Sequence, residues 1–96
     1  MGHDTSESIA IELVLLAGND YELYKQQVEP ITKNLDRKIA KGIFNRDKAA
    51  VLVKYLMDNV SKKYAKHYGG TFSPDIRRQA ARIWVDEYLN NKSIGV

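Results

Sequence analysis

The chain has no cysteine, two prolines, two histidines and six glycines, and no lysine or arginine before residue 25. Without thiols there are no disulfides, thiolate metal ligands or cysteine nucleophiles, and a reducing compartment is the expected setting. His3 and His67 are too few for most zinc sites, and no cofactor is expected. The longest apolar run, residues 9–17, is interrupted by Glu12. It falls short of the roughly 20 residues that cross a bilayer and follows no basic leader, so no membrane partner is expected. Met1-Gly2-His3 reads as an expression remnant, and residues 1–5 are expected to be flexible.

What is present belongs to one folded domain, residues 1–96: 44% of the chain is hydrophobic and 28% charged, which excludes a disordered tail or a fibre. Charge is distributed by region. Residues 1–24 carry five acids and no Lys or Arg, residues 25–68 carry eleven bases against four acids, and the remainder is nearly balanced. A basic middle behind an acidic front implies an anionic partner, internal pairing of the two parts, or solvated helix faces with chance asymmetry.

The glycines and prolines fall where helices start and stop. Gly18-Asn19 closes a first segment and Asp20 caps a second; Gly42 ends that one and Asn45 opens a third; Gly69-Gly70 ends the third, and Ser73-Pro74-Asp75 starts a fourth. The second segment, 21–41, places Tyr24, Val28, Ile31, Leu35 and Ile39 on one stripe, with a kink expected at Pro30. The third, 46–68, carries Ala49, Val53, Leu56, Val60, Tyr64 and His67, and the fourth, 74–90, carries Ile76, Ala80, Ile83, Trp84 and Tyr88. The first segment has two readings. Asp4 and Glu7 are spaced as a capping box and Ile9, Leu13 and Leu16 suit a helix face, whereas Ile9, Ile11, Leu13 and Leu15 alternate as a strand would. A lone strand would leave its backbone unmatched, so a helix is expected. The fold expected is a small all-α antiparallel bundle of three to four helices.

Two surfaces follow from projecting these helices. Lys33, Arg37 and Lys41 form one stripe opposite the core of the second helix, and Lys48, Tyr55, Lys62 and Lys66 gather on the outer face of the third. Cations that neutralise phosphates beside a ring that stacks on a base are the composition of a nucleic-acid surface. They are equally what a solvated helix face needs. The second surface is protein-facing: Val85 and Leu89 project beside Arg78 and Arg82, away from Ile76 and Ala80, and the first segment is apolar nearly all round. Either a dimer or partner protein covers these groups, or the first segment wraps over the fourth helix.

Other constellations carry less. The junction KGIFNRDK resembles a helix-turn-helix corner, but the helix start Arg46-Asp47-Lys48-Ala49-Ala50 brings no Asn or Gln to read bases. His67 fits a helix C-terminal rim, Asp86 and Glu87 point in different directions, and Arg82 and Asp86 are spaced for an i, i+4 ion pair. The chain has no Gly-rich phosphate loop and no Ser–His–Asp pattern, so binding is expected rather than catalysis.

The run NDYELYKQQVEPITKNLDRKIAKGIFNRDKAAVLVKYL resembles a group of small proteins of unknown function encoded by bacteriophages and related mobile elements. The likeness rests on Glu22-Leu23-Tyr24, Pro30, Asn34-Leu35, Arg37-Lys38, Lys41-Gly42, Phe44-Asn45 and Lys48-Ala49, with Lys63-Tyr64 and Ile76-Arg77-Arg78 further on. The resemblance implies a phage or prophage origin and a setting in the cytoplasm of a bacterial host, and it supplies no activity.

Overall fold

The computed structural model describes residues 2–92, with side chains from Glu7 onward. Four helices make up the described residues: α1 (Gly2–Asn19), α2 (residues 21–40), α3 (Arg46–Lys63) and α4 (Pro74–Asn91). Among these residues there is no strand, and the architecture is the small all-α bundle expected.

The strand-like alternation of the first segment loses to the helical period because burial follows the latter. Ala10, Leu13, Val14 and Ala17 are buried, with Ile9 and Leu16 half-buried, while Ile11 and Leu15 stay exposed. The helix already begins at Gly2, so Asp4 lies inside it rather than ahead of it. Met1 and the side chains of residues 2–6 lie outside the description, and with them most of the start expected to be flexible.

α2 begins where the Asp20 carboxylate accepts the Leu23 N–H at 2.9 Å. The disturbance expected from Pro30 appears just upstream: Tyr24–Val28 is a π-helical stretch, and the Glu29 N–H reaches back to the Tyr24 carbonyl. Proline has no N–H for the Gln26 carbonyl and its ring crowds that group; widening the turn accommodates both without ending the helix. Beyond it the Thr32 hydroxyl donates to the Val28 carbonyl at 2.9 Å, and regular helix continues over Glu29–Ala40. It stops at Gly42, whose φ of +73° suits glycine. The Ile43 N–H donates to Lys38 and the Gly42 N–H to Ile39, which is the paired closure of a Schellman motif. Phe44, rather than Ile43, tucks under this turn, with its ring 6.5 Å from that of Tyr88.

Asn45 caps α3 through the Lys48 N–H at 2.9 Å. The helix ends at Lys63, five residues before the expected Tyr68, and residues 64–69 form turns that close at Gly69 and Gly70. There the Tyr64 and Tyr68 hydroxyls donate to Asp20 and Glu12 at 2.6 and 2.7 Å, and His67 sits exposed on the rim with its ring against Tyr68. Buried Ser61 accepts the Phe72 N–H at 2.8 Å and anchors the returning chain. Ser73 then caps α4, with Pro74 in its first turn.

α4 is the central helix. It packs most extensively against α3 and next against α1, while α1 also touches α3. Being covered on two sides, α4 buries more than one stripe. Ala80 and Tyr88 are buried as expected, and so are Ala81, Val85 and Leu89. This corrects the expected protein-facing surface: Val85 is 1% and Leu89 4% exposed, and Val85 shares a hollow with Arg46, Asp47 and Ala50 at the start of α3. The first segment does pack on the fourth helix, as one of the two alternatives has it. The molecule measures 42 × 32 × 18 Å, and its thin dimension holds less than two full helix diameters of about 10–12 Å. Much of its surface therefore lies in two broad faces.

Burial of Leu89 sets an expectation. Leu89→Ala should cost about 2–5 kcal/mol of unfolding free energy in a urea titration. Leu89→Asp should prevent cooperative folding, seen as loss of the thermal transition in circular dichroism. A folded Leu89→Asp monomer of near-normal stability would contradict this packing.

Candidate nucleic-acid interface

α2 and α3 meet lightly, at one hydrogen bond and at the corner between them. The Asn59 amide donates to Gln27 at 2.8 Å across the two helices. Lys38 and Lys48 line a common hollow of about 180 Å³ with Leu35, Ile43, Asn45 and Ala49. Around this corner Arg37, Lys41 and Lys48 are exposed, with Lys38 half-buried between them. Along α3, Lys48, Tyr55 and Lys62 recur at seven-residue steps, two turns or about 10.5 Å each, and stay on one line. Lys66 continues beyond the helix end, and Lys33 stands at the outer margin of α2. The seven expected residues thus form a corner group (Arg37, Lys41, Lys48, with Lys33 beside it) and a distal pair (Lys62, Lys66). Tyr55 lies between the two. Lys38 was missed by the projection of single stripes, although its place directly after Arg37 in sequence is the available signal.

None of Arg37, Lys38, Lys41, Lys48, Lys62 and Lys66 has an ion-pair partner among the described residues, and Lys33 makes only a long contact to Glu29 at 3.7 Å. Two of the four acids of residues 25–68 are engaged by α4. Asp36 accepts the Tyr88 hydroxyl at 2.5 Å and the Lys92 ammonium at 3.0 Å, both from the end of α4. Asp58 holds Arg77 of α4 at 2.8 Å and Lys54 at 3.4 Å. Asp47 lines the hollow between α3 and α4, and Glu29 lies between Lys25 and Lys33 on its own helix. Hydrogen bonds from Tyr88 and then Lys92 hold the Asp36 carboxyl below its ordinary range; burial, then Asp36, raises the Tyr88 phenol. The result is a surplus of exposed cations: Asp36 and Asp58 are engaged by α4, Glu29 lies beside Lys33, and Asp47 is exposed without an ion-pair partner among the described residues.

The second expected group is divided. Arg78 pairs with Asp75. Asp86 reaches Arg46 at 3.4 Å, which corrects the expected pairing with Arg82: the carboxylate is drawn across the helix pair instead of along its own helix. Arg78 and Arg82 share a hollow of about 340 Å³ with Lys54, Ala50 and Val51, between α3 and α4. On α1, Ile11 is 42% and Leu15 57% exposed. No helix among the described residues is long and apolar enough to cross a membrane. Compared with known proteins, the chain matches no family model, no curated protein and no solved structure.

One carboxylate anchors the far end of the face. Asp20 accepts the Leu23 N–H, the Lys63 ammonium at 2.8 Å and the Tyr64 hydroxyl at 2.6 Å, tying the α1–α2 junction to the end of α3. The backbone donor, then Lys63 and Tyr64, depress its pKa well below the ordinary 3.8. A depressed folded pKa contributes stability that is complete above the unfolded value and lost as pH falls through the folded one. Stability should therefore decline below about pH 4. Asp20→Asn should be less stable at neutral pH and should show a shallower acid loss in thermal melts across this range. An unchanged acid slope in the variant would refute the assignment.

Proposed function

We propose that the protein is a non-catalytic binding protein that engages nucleic acid through the α2–α3 face, directly or within a nucleic-acid-handling complex. It would act as a phage-type accessory protein in the cytoplasm of a bacterial host. The observation that carries this reading is the sorting of charge. Arg37, Lys38, Lys41, Lys48, Lys62 and Lys66 have no ion-pair partners among the described residues, while Asp36 and Asp58 of the same segment are engaged by α4. Solvated helix faces ordinarily carry both signs interspersed. A surface on which cations outnumber acids offers a chain of phosphates the charge that releases its counterions.

About five phosphate contacts would give a slope of roughly −4 in log K against log salt. Each Lys→Ala on the face should weaken binding to all sequences alike and reduce that slope by about 1. The triple reversal Arg37→Glu, Lys41→Glu, Lys48→Glu should abolish binding in fluorescence anisotropy while helicity is retained. Absence of binding to DNA and RNA at low salt would refute the direct form of this reading.

A second reading, a protein-interaction module acting as a host-factor inhibitor or homo-oligomer, is favoured by a separate feature: Ile11 and Leu15, adjacent on the outer side of α1. On that reading sedimentation shows self-association that Leu15→Glu removes. A wild-type protein that sediments as a monomer at all concentrations eliminates the homo-oligomer form.

A further inference from the structure

Between its two cationic ends the α2–α3 face is not polar. Tyr55 is 62% and Val51 56% exposed on α3, with half-buried Leu52 beside them, and Ile43 is 61% exposed at the corner next to Lys48. Tyr55 stands seven residues from both Lys48 and Lys62, so its ring lies about 10.5 Å along the axis from either. The Lys54 ammonium, which also reaches Asp58 at 3.4 Å, lies 5.8 Å from the Tyr55 ring centroid. Tyr55 and Val51 are one helical turn apart and form an apolar strip that runs from the line of Lys48 and Lys62 toward the α3–α4 hollow, which Val51 lines.

Such a strip discriminates between forms of nucleic acid. A duplex presents its sugars and phosphates outward and keeps the faces of its bases stacked inside, so it offers Tyr55 and Val51 nothing apolar to cover. An unpaired strand carries the same phosphates and leaves its bases free to lie on an aromatic ring. We propose that the α2–α3 face takes single-stranded nucleic acid in preference to duplex. Tyr55 is the stacking platform, and Lys48 and Lys62 hold the strand on either side. The inference rests on the polyanion reading and narrows its ligand. Stacking tolerates any base and phosphate contacts ignore sequence, so the preference is for strandedness and not for a motif.

The test titrates oligo-dT, oligo-U and a DNA duplex of equal length with the full chain at low salt, in wild type, Tyr55→Ala and Tyr55→Phe. Tyr55 is exposed, so both variants fold, which circular dichroism verifies. One or both single strands should bind roughly tenfold or more tighter than duplex. Tyr55→Ala should remove most of that difference while leaving duplex affinity unchanged, and Tyr55→Phe should keep it. Duplex binding as tight as single-strand binding, or a preference that survives Tyr55→Ala, overturns the inference and leaves the polyanion reading standing. Failure of all three polymers to bind overturns both.

Discussion

Asp20, Asp36 and Asp58 each sit on one helix or junction and take their partners from another. Asp20 holds Lys63 and Tyr64, Asp36 holds Tyr88 and Lys92, and Asp58 holds Arg77. Exposed ion pairs contribute about 0–1 kcal/mol, so such contacts are not what drives the chain to fold. Burial of Leu13, Leu35, Leu56, Met57 and their neighbours supplies that. What the aspartates do is tie each helix to a neighbour at a defined point, which leaves Arg37, Lys38, Lys41, Lys48, Lys62 and Lys66 without ion-pair partners among the described residues.

The same constraint explains why α2 can be held at all. Its second half touches α3 only lightly and inserts Leu35 as its one buried residue, so hydrophobic packing secures it weakly. The Asp36 contacts to α4 and the Gln27–Asn59 bond to α3 pin it at two separated points. Upstream, the π-helical turn before Pro30 shifts the helix phase just where α2 passes α1. A regular helix through that point would rotate Val28 relative to Leu23 and spoil one of the two burials.

Much of this was legible in the residues, and the failures share a cause. Asp20, Asn45 and Ser73 act as caps, Gly42 takes the left-handed turn and Pro30 perturbs α2, because each effect is local and a few residues of sequence contain it. Val85 and Leu89 were misplaced because a helix with one covered side and a helix with two have the same apolar residues. The difference lies in where the neighbouring helices dock. Arg82 and Asp86 were mispaired for the same reason: i, i+4 spacing is visible in sequence, whereas Arg46 arrives through the tertiary fold. Lys38 escaped notice because a stripe drawn on one helix ignores the neighbouring helix that completes the surface.

The chemistry of the exposed cations limits what the face can recognise. Six of the seven basic groups along it are lysines, and Arg37 alone carries a planar guanidinium. Lysine is a strongly hydrated point charge on a flexible stem, able to follow a phosphate but unable to present the two-pronged donor that reads a guanine edge. The α3 start adds Asp47, which would repel a phosphate or base acceptor, and it is directed to the α3–α4 hollow instead. A rigid corner, closed by the Schellman turn at Gly42 and the Asn45 cap, therefore carries mobile charges. That combination fixes where a polyanion would lie without fixing its sequence, so any selectivity the face possesses must come from its few rigid apolar groups rather than from its many flexible charged ones.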